Sequence, residues 1–361
     1  MSVDTANHDA EDRPVPIGAN GRSQEPGRPR TAAASEARPA STAVNRPASS
    51  DAFTSEVMLR PQSDAPRSGL RRLLFQLTGG LVNLGPSPAE LRERELSARV
   101  KAPVGGCRRI AVVSRKGGVG KTTTTLMLGH TFASLRGDRV IALDGNPDAG
   151  SLAYRVRRET TNTIMSLLAH REQIERYADI RAYTSQAPTR LEIVAADDDP
   201  RITDALREQD FHTAVRLLEV HYNLVCLDTG TGVLESAAKG ILQLADQIVV
   251  VTAPSLDSAR TASSTLDWLE QNSHGDLVAG AVAVINGVRP KSQLELDRVQ
   301  DHFAARCRAV VRIPWDPHLD TGAESTLERL RPATRNAYLE LAASVADGFR
   351  DHDSDTREMA R

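Results

Sequence analysis

Ser114 to Thr125 reads SRKGGVGKTTTT, and how this stretch is understood decides the fold. It nearly spells the phosphate-binding loop G-x-x-x-x-G-K-[ST], but Arg115 stands where the first glycine of that pattern belongs. Lys116, immediately before the glycines, adds a cation that the pattern does not call for. The surroundings make up for the missing glycine. A β-branched run, IAVVS, precedes the loop and a helical pattern, KTTTTLMLGHTFASL, ends it. Gly117, Gly118 and Gly120 would then let backbone N–H groups converge on phosphate oxygens at the positive end of a helix. Lys121 is placed to reach the β- and γ-phosphates of ATP, and the Thr122 hydroxyl to ligand Mg²⁺. Gly117, Gly118, Val119, Gly120, Lys121, Thr122 and Thr123 form the expected ATP-binding run.

Outward from the loop the pattern is strand, helix, strand. RRIAVVS, RVIALDG, RLEIVAA, YNLVCLD, DQIVVVTAP, VAGAVAVIN and AVVRIPW are short runs, mostly apolar throughout instead of alternating. Strands of this kind are buried on both faces, as in a parallel sheet covered by helices. The intervening helices include KTTTTLMLGHTFASL, ARTASSTLDWLEQN and TRNAYLELAASVADGF. The implied fold class is α/β: a P-loop NTPase with a doubly wound, mostly parallel sheet and helices on both faces, preceded by a disordered N-terminal tail. In such a fold, functional groups gather at the C-terminal ends of the strands.

The front of the chain has a different character. Its opening residues are rich in Pro, Ala, Ser and Arg, as in RPRTAAASEARPASTAVNRPASS, and carry too little apolar area to offset the entropy of ordering them. Leu70, Leu73, Leu74, Leu77 and Leu81 then recur at helical spacing beside Arg71 and Arg72, the pattern of an amphipathic helix. Gly79 and Gly80 shorten that helix, and Pro86 and Pro88 separate it from a second one led by Ser87 or Pro88. The pair is expected to pack on the following domain. Contact with an anionic membrane surface is the alternative and is not favoured, since the glycine pair leaves few apolar residues for insertion.

Composition narrows the partners. A formal net charge of -2 over 361 residues provides no chain-wide attraction to nucleic acid or acidic lipid. Cys107, Cys226 and Cys307 form no C-x-x-C or Cys/His cluster, so neither a disulfide framework nor a zinc site is indicated, and a reducing cytoplasm fits best. No apolar run approaches the ~20 residues of a spanning helix, and MSVDTANHDAEDRP lacks the basic and apolar parts of a secretion signal. The expected location is cytoplasmic, with peripheral attachment at the inner face of the cell membrane left open. Basic residues are overwhelmingly arginine, so Lys116 and Lys121 stand where a compact ammonium is needed.

Lys116 carries a family resemblance. KGGVGKTT resembles the deviant P-loop (deviant Walker A) of the MinD/ParA ATPases, in which the lysine before the glycines reaches across a dimer interface to the partner's nucleotide. The resemblance implies an ATP-dependent homodimer in which Lys116 and Lys121 both serve catalysis, Lys116 in trans as an arginine finger does. NLVCLDTGTG places Asp228 at the Mg²⁺ shell, and VIALDGNPDAGSL places Asp144 at the first carboxylate of the family's switch, also a metal position. The second carboxylate, which positions the attacking water, falls on Asn146, an amide that can orient water but cannot accept its proton. Asp148 is the nearby substitute, and hydrolysis is expected to be slow. AVAVING and RIPWDP resemble the two edges of the adenine pocket, with Asn286 on one side and Pro314, Asp316 and their neighbours on the other.

From Leu70 to Phe349 the chain is also similar to actinobacterial MinD-like proteins associated with type VII (ESX) secretion, the EspI-type group. On this basis residues 1–60 are a disordered tail, 61–104 an amphipathic helical linker, 105–350 a MinD/ParA-like ATPase domain and 351–361 a polar C-terminal tail. The implied function is an ATP-binding, slowly hydrolysing switch whose dimer engages protein partners in secretion or positioning machinery. Two alternatives stay open: a partition ATPase that binds DNA without sequence preference, and a nucleotide-sensing regulator with little turnover. The acidic residues Glu340, Asp347, Asp351, Asp353 and Asp355 near the C-terminus favour protein over DNA.

Overall fold

The structure, a computed structural model, describes residues 69–79, 81, 83–145, 150–197, 208–230, 236–292 and 294–359. Helices α1 (Gly69–Leu77) and α2 (Pro88–Val100) lead into β1 (Arg108–Val113), the glycine-rich loop and α3 (Lys121–Leu135). Strand β2 (Val140–Gly145) follows, then a 3-10 turn (Ala153–Arg155), α4 (Ile164–Ala169), α5 (Tyr177–Ile180), β3 (Ser185–Gln186) and β4 (Glu192–Val194). Next come α6 (Glu208–Glu219), β5 (Leu224–Thr229), α7 (Ser236–Leu244), β6 (Gln247–Thr252), α8 (Leu256–Gln271) and α9 (Gly275–Ala279). The chain closes with β7 (Val282–Val288), α10 (Leu296–Ala304), β8 (Ala309–Pro314), α11 (Pro317–Asp320) and α12 (Pro332–Met359).

The strands form one sheet in the order β3-β4-β2-β5-β1-β6-β7-β8, parallel throughout except for β3 against β4. Each of the seven apolar runs became a strand, six of them buried on both faces, while AVVRIPW became the edge strand β8, where Val311 and Ile313 are buried and their neighbours half-buried. In β1, Ile110 and Val112 enter an apolar layer with Phe132 of α3 and Tyr338 and Leu341 of α12, while Ala111 and Val113 enter a second layer with Phe211 of α6, Leu266 of α8 and Phe303 of α10. A strand with two dry faces cannot alternate in polarity. The run VAGAVAVIN is the partial exception: Val278 ends up in α9, and β7 starts at Val282. β1 lies between β5 and β6, where the chain's progress across the sheet reverses, so a crevice opens at its C-terminal end. The glycine-rich loop is at that end.

The two N-terminal helices behave differently. Ser87 caps α2 with a capping box, its Oγ accepting the Glu90 N–H at 3.2 Å and the Glu90 carboxylate accepting the Ser87 N–H at 2.9 Å. Leu96 and Val100 then bury into the α12 side of the core. Arg99 grips Asp347 with its Nη2 at 2.6 Å, and Arg92 reaches Glu340 at 3.1 Å. The expectation of packing therefore holds for α2. It does not hold for α1, whose Leu73, Leu74 and Leu77 are 53%, 40% and 76% exposed. Thr78 closes the helix with its hydroxyl on the Leu74 carbonyl, and Gly79 turns the chain away at φ +57°. Helix α12 runs on through residue 351 to Met359. Among the described residues no helix is long and apolar enough to cross a membrane.

Candidate nucleotide site

The loop is shaped by its glycines and tied down by a distant strand. Gly118 and Gly120 have φ of +74° and +89°, in the left-handed region. A Cβ on Gly120 would also meet Asn286 Nδ2 at 2.0 Å, because Asn286, on β7, approaches to donate to the Val119 carbonyl at 2.8 Å. Asn286, expected at the base, thus also fixes the phosphate loop. Two threonines of TTTT turn inward on the helix itself: Thr124 Oγ1 donates to the Gly120 carbonyl at 2.9 Å and Thr125 Oγ1 to that of Lys121 at 3.1 Å. Thr122 and Thr123 face the cavity.

Behind the loop stands a buried group of charges. The Lys121 ammonium is 8% exposed and lies 3.2 Å from Asp228 Oδ1, and it also donates to the Thr229 carbonyl. Asp228 is fully buried; its Oδ1 accepts from Thr125 Oγ1 at 3.3 Å, while its Oδ2 has no partner. Asp144 sits beside Asp228 in register across β2 and β5. Its Oδ2 accepts the Leu152 N–H at 2.9 Å, and it approaches Gly150 so closely that a Cβ there would lie 2.2 Å from the same oxygen. Asn146 and Asp148 lie outside the described residues.

At the front of the loop, Lys116 pairs with Asp257 in the first turn of α8. Both side chains are open to solvent, at 41% and 72%. The helix holding Asp257 is capped by Ser255, whose Oγ accepts the Ser258 N–H at 3.3 Å. Here Lys116 meets a carboxylate of its own chain.

A cavity of about 530 Å³ opens over the loop, lined by residues 116–123, Asn286, Pro314 and Asp316, so the expected ATP-binding set shares one wall. Asp144 and Asp228 stand beneath it and not on it. Asp316 lines the cavity but spends its carboxylate as the cap of α11, accepting the His318 N–H at 3.0 Å and the Arg331 N–H at 2.9 Å. Burial opposes its charge, yet the Arg331 and His318 amides prevail and hold its carboxyl below the usual range. Trp315 falls within the RIPWDP edge expected from the sequence, whereas Arg289 and Arg155 are cationic wall residues that the sequence reading did not single out. The Arg289 guanidinium lies 4.5 Å over the Trp315 ring, a cation–π stack on the cavity wall. Arg155 Nη1 donates to Thr123 Oγ1 at 2.9 Å. The only sequence signal for Arg155 was the basic run RVRR, which reads as a surface cluster.

Sheet order, loop and buried carboxylates together give the chain the P-loop, MinD/ParA-like fold, and residues 107–273 match the family model described as an AAA domain. Among solved structures the fold is shared with a ParA family ATPase from Chlorobium tepidum (TM-score 0.57, 15% identity, 66% of this chain and 98% of that one). It is shared also with the septum site-determining protein MinD complexed with Mg-ADP from Pyrococcus horikoshii (TM-score 0.55, 19% identity, 65% and 94%). In sequence, the chain is similar to the ESX-1 secretion-associated protein EspI of Mycobacterium tuberculosis, 40% identical over 284 residues. That match takes in 78% of this chain and spans 42% of the relative's length.

Proposed function

We propose that the chain is an ATP-binding, slowly hydrolysing switch that dimerises on ATP and engages protein partners, in a type VII secretion setting. The observation that carries this reading is the pair of lysines flanking one glycine loop, Lys121 buried on Asp228 and Lys116 exposed on Asp257. A phosphate chain laid on the N–H groups of residues 117–122 would meet the positive end of α3 and the Lys121 ammonium together. Lys121 then exchanges part of its contact with Asp228 for phosphate oxygen. Freed of that partner, Asp228 has both carboxylate oxygens to offer.

The residues fit Mg²⁺. A hard cation that keeps several waters takes one or two protein oxygens beside substrate phosphates. Asp228 Oδ2, buried without a partner, is such an oxygen, Thr122 on the cavity wall is a second, and Asp144 lies in register behind them. When bound, the ion would neutralise charge on the phosphates. The chain's own part is to hold the phosphates, exclude bulk water and orient the attacking water through residues 146–148. An amide at Asn146 positions that water without taking its proton, which makes turnover slow.

Lys116 is the dimer element of this reading. An exposed ion pair is worth only about 0–1 kcal/mol, so a partner's polyphosphate readily displaces Asp257. Light scattering with and without MgATP tests the proposal: a rise from monomer to dimer mass supports it, and a single unchanged mass overturns it. Pull-down with ATP and added nuclease tests the partner class. Proteins retained after nuclease treatment support the switch, and loss of every partner favours DNA.

A further inference from the structure

The cavity wall carries four cationic side chains, Lys116, Lys121, Arg155 and Arg289. Three have ready compensation. Lys121 and Lys116 each have a carboxylate, and Arg289 is exposed and stacked on Trp315. Arg155 differs: among the described residues no carboxylate lies within ion-pair distance of it. Its Nη1 is engaged by a neutral hydroxyl, that of Thr123 at 2.9 Å, and its Nε is buried with no acceptor. Burial presses its pKa downward, with Asp228 and Tyr338 opposing from a distance. A half-buried guanidinium whose Nε is shielded from water without an acceptor is costly to the fold.

The segment that carries Arg155 is held at both ends. The Leu152 N–H is anchored on Asp144 at 2.9 Å, and the Arg155 carbonyl accepts the Ser325 N–H at 3.0 Å. Between these ties the 3-10 turn sets the side chain against the first turn of α3. It meets the loop at Thr123, after the helix has begun, whereas Lys116 stands before the glycines. In a phosphate loop the backbone N–H groups cradle the α- and β-phosphates and the lysine reaches the β- and γ-phosphates. A cation at Thr123 therefore faces the part of the chain common to nucleoside di- and triphosphates.

We infer that Arg155 is a phosphate-binding residue of this site, contributed from the segment after β2 and supplying the charge that holds the α/β-phosphates of ADP and ATP alike. The inference rests on the nucleotide reading above. It adds that the site recognises the diphosphate through a guanidinium outside the glycine loop. It also supplies a link by which nucleotide reaches Asp144, since the Asp144–Leu152 hydrogen bond and Arg155 belong to one short turn.

The test is calorimetric titration of the full chain with MgADP and MgATP, together with its melting temperature with and without MgADP. Variants are Arg155→Met, which keeps the bulk, Arg155→Gln, which keeps a donor for Thr123, and Arg155→Lys, which keeps the charge. Arg155→Met and Arg155→Gln are expected to weaken both nucleotides by comparable factors of about 10- to 100-fold, the range for a lost hydrogen bond to a charged group. Arg155→Lys should recover most of that loss. Without nucleotide, Arg155→Met should melt no lower than wild type, because a half-buried charge with no carboxylate beside it is gone, while its MgADP-induced shift shrinks. Wild-type affinity in Arg155→Gln overturns the inference. So does a lowered nucleotide-free melting temperature in Arg155→Met with a full MgADP-induced shift, which would make the residue structural. If Arg155→Met does not fold, the contrast between Lys and Gln decides. Wild-type protein that binds neither nucleotide overturns the nucleotide reading itself, an outcome distinct from all of these.

Discussion

The two ends of the glycine loop hold the same kind of contact under opposite conditions. At one end Lys121, 8% exposed, pairs with a fully buried Asp228; at the other Lys116, 41% exposed, pairs with Asp257 at 72%. Burial makes the first pair costly to break, because an isolated charge in a dry site is penalised by several kcal/mol. Solvent makes the second cheap to exchange. One lysine is thus built into the site, while the other holds a contact that solvent leaves easy to exchange.

The largest expected effect is at the buried end. Lys121→Ala should weaken ATP binding by at least about 100-fold, since in the proposed site the ammonium would make charge-assisted contacts to two phosphates. Unchanged affinity by calorimetry breaks the phosphate-loop assignment. At the exposed end, Lys116→Ala should lower hydrolysis by about 10- to 1000-fold, within reach of an in-trans cation, with ATP affinity altered only a few-fold. Equal losses in both measurements would erase the contrast between the two lysines.

Stability should sort the pairs in the same way. Asp228→Asn leaves the Lys121 ammonium buried beside an amide and should cost about 3 kcal/mol by denaturant unfolding of the nucleotide-free protein. Asn146→Asp restores the carboxylate at the expected water position and should raise turnover about tenfold. If that change does nothing while Asp148→Ala abolishes the rate, Asp148 holds the water. Asp257→Asn should be the mildest, shifting stability by less than about 1 kcal/mol while shifting ATP-dependent dimerisation to lower protein concentration, because Lys116 no longer has a partner to give up. A loss matching that of Asp228→Asn would show the surface pair to be structural.

Helices α1 and α2 show where reading from sequence succeeds. Ser87, Pro88 and Glu90 announce the start of α2 because a capping box is a local device, closed within four residues. The leucine spacing of α1 announces a helix equally well, and the helix is there. Spacing fixes which residues share a face, but it does not supply a surface for that face, and Leu73, Leu74 and Leu77 of α1 remain exposed.

The same division runs through the candidate site. The sequence by itself determined the described strands except the short β3, since burial in the sheet demands largely apolar runs, and it determined the loop, since positive φ at Gly118 and Gly120 demands glycine. It also placed Asp144 and Asp228 at strand ends. Only the tertiary structure decided that β5 inserts beside β1 and β2, bringing those two carboxylates into register. Only there do Asp257 reach Lys116, Asn286 reach Val119 and Arg155 reach Thr123. Each of these contacts joins residues far apart in the chain, and no local propensity encodes a partner that loop closure and packing across the sheet must bring near.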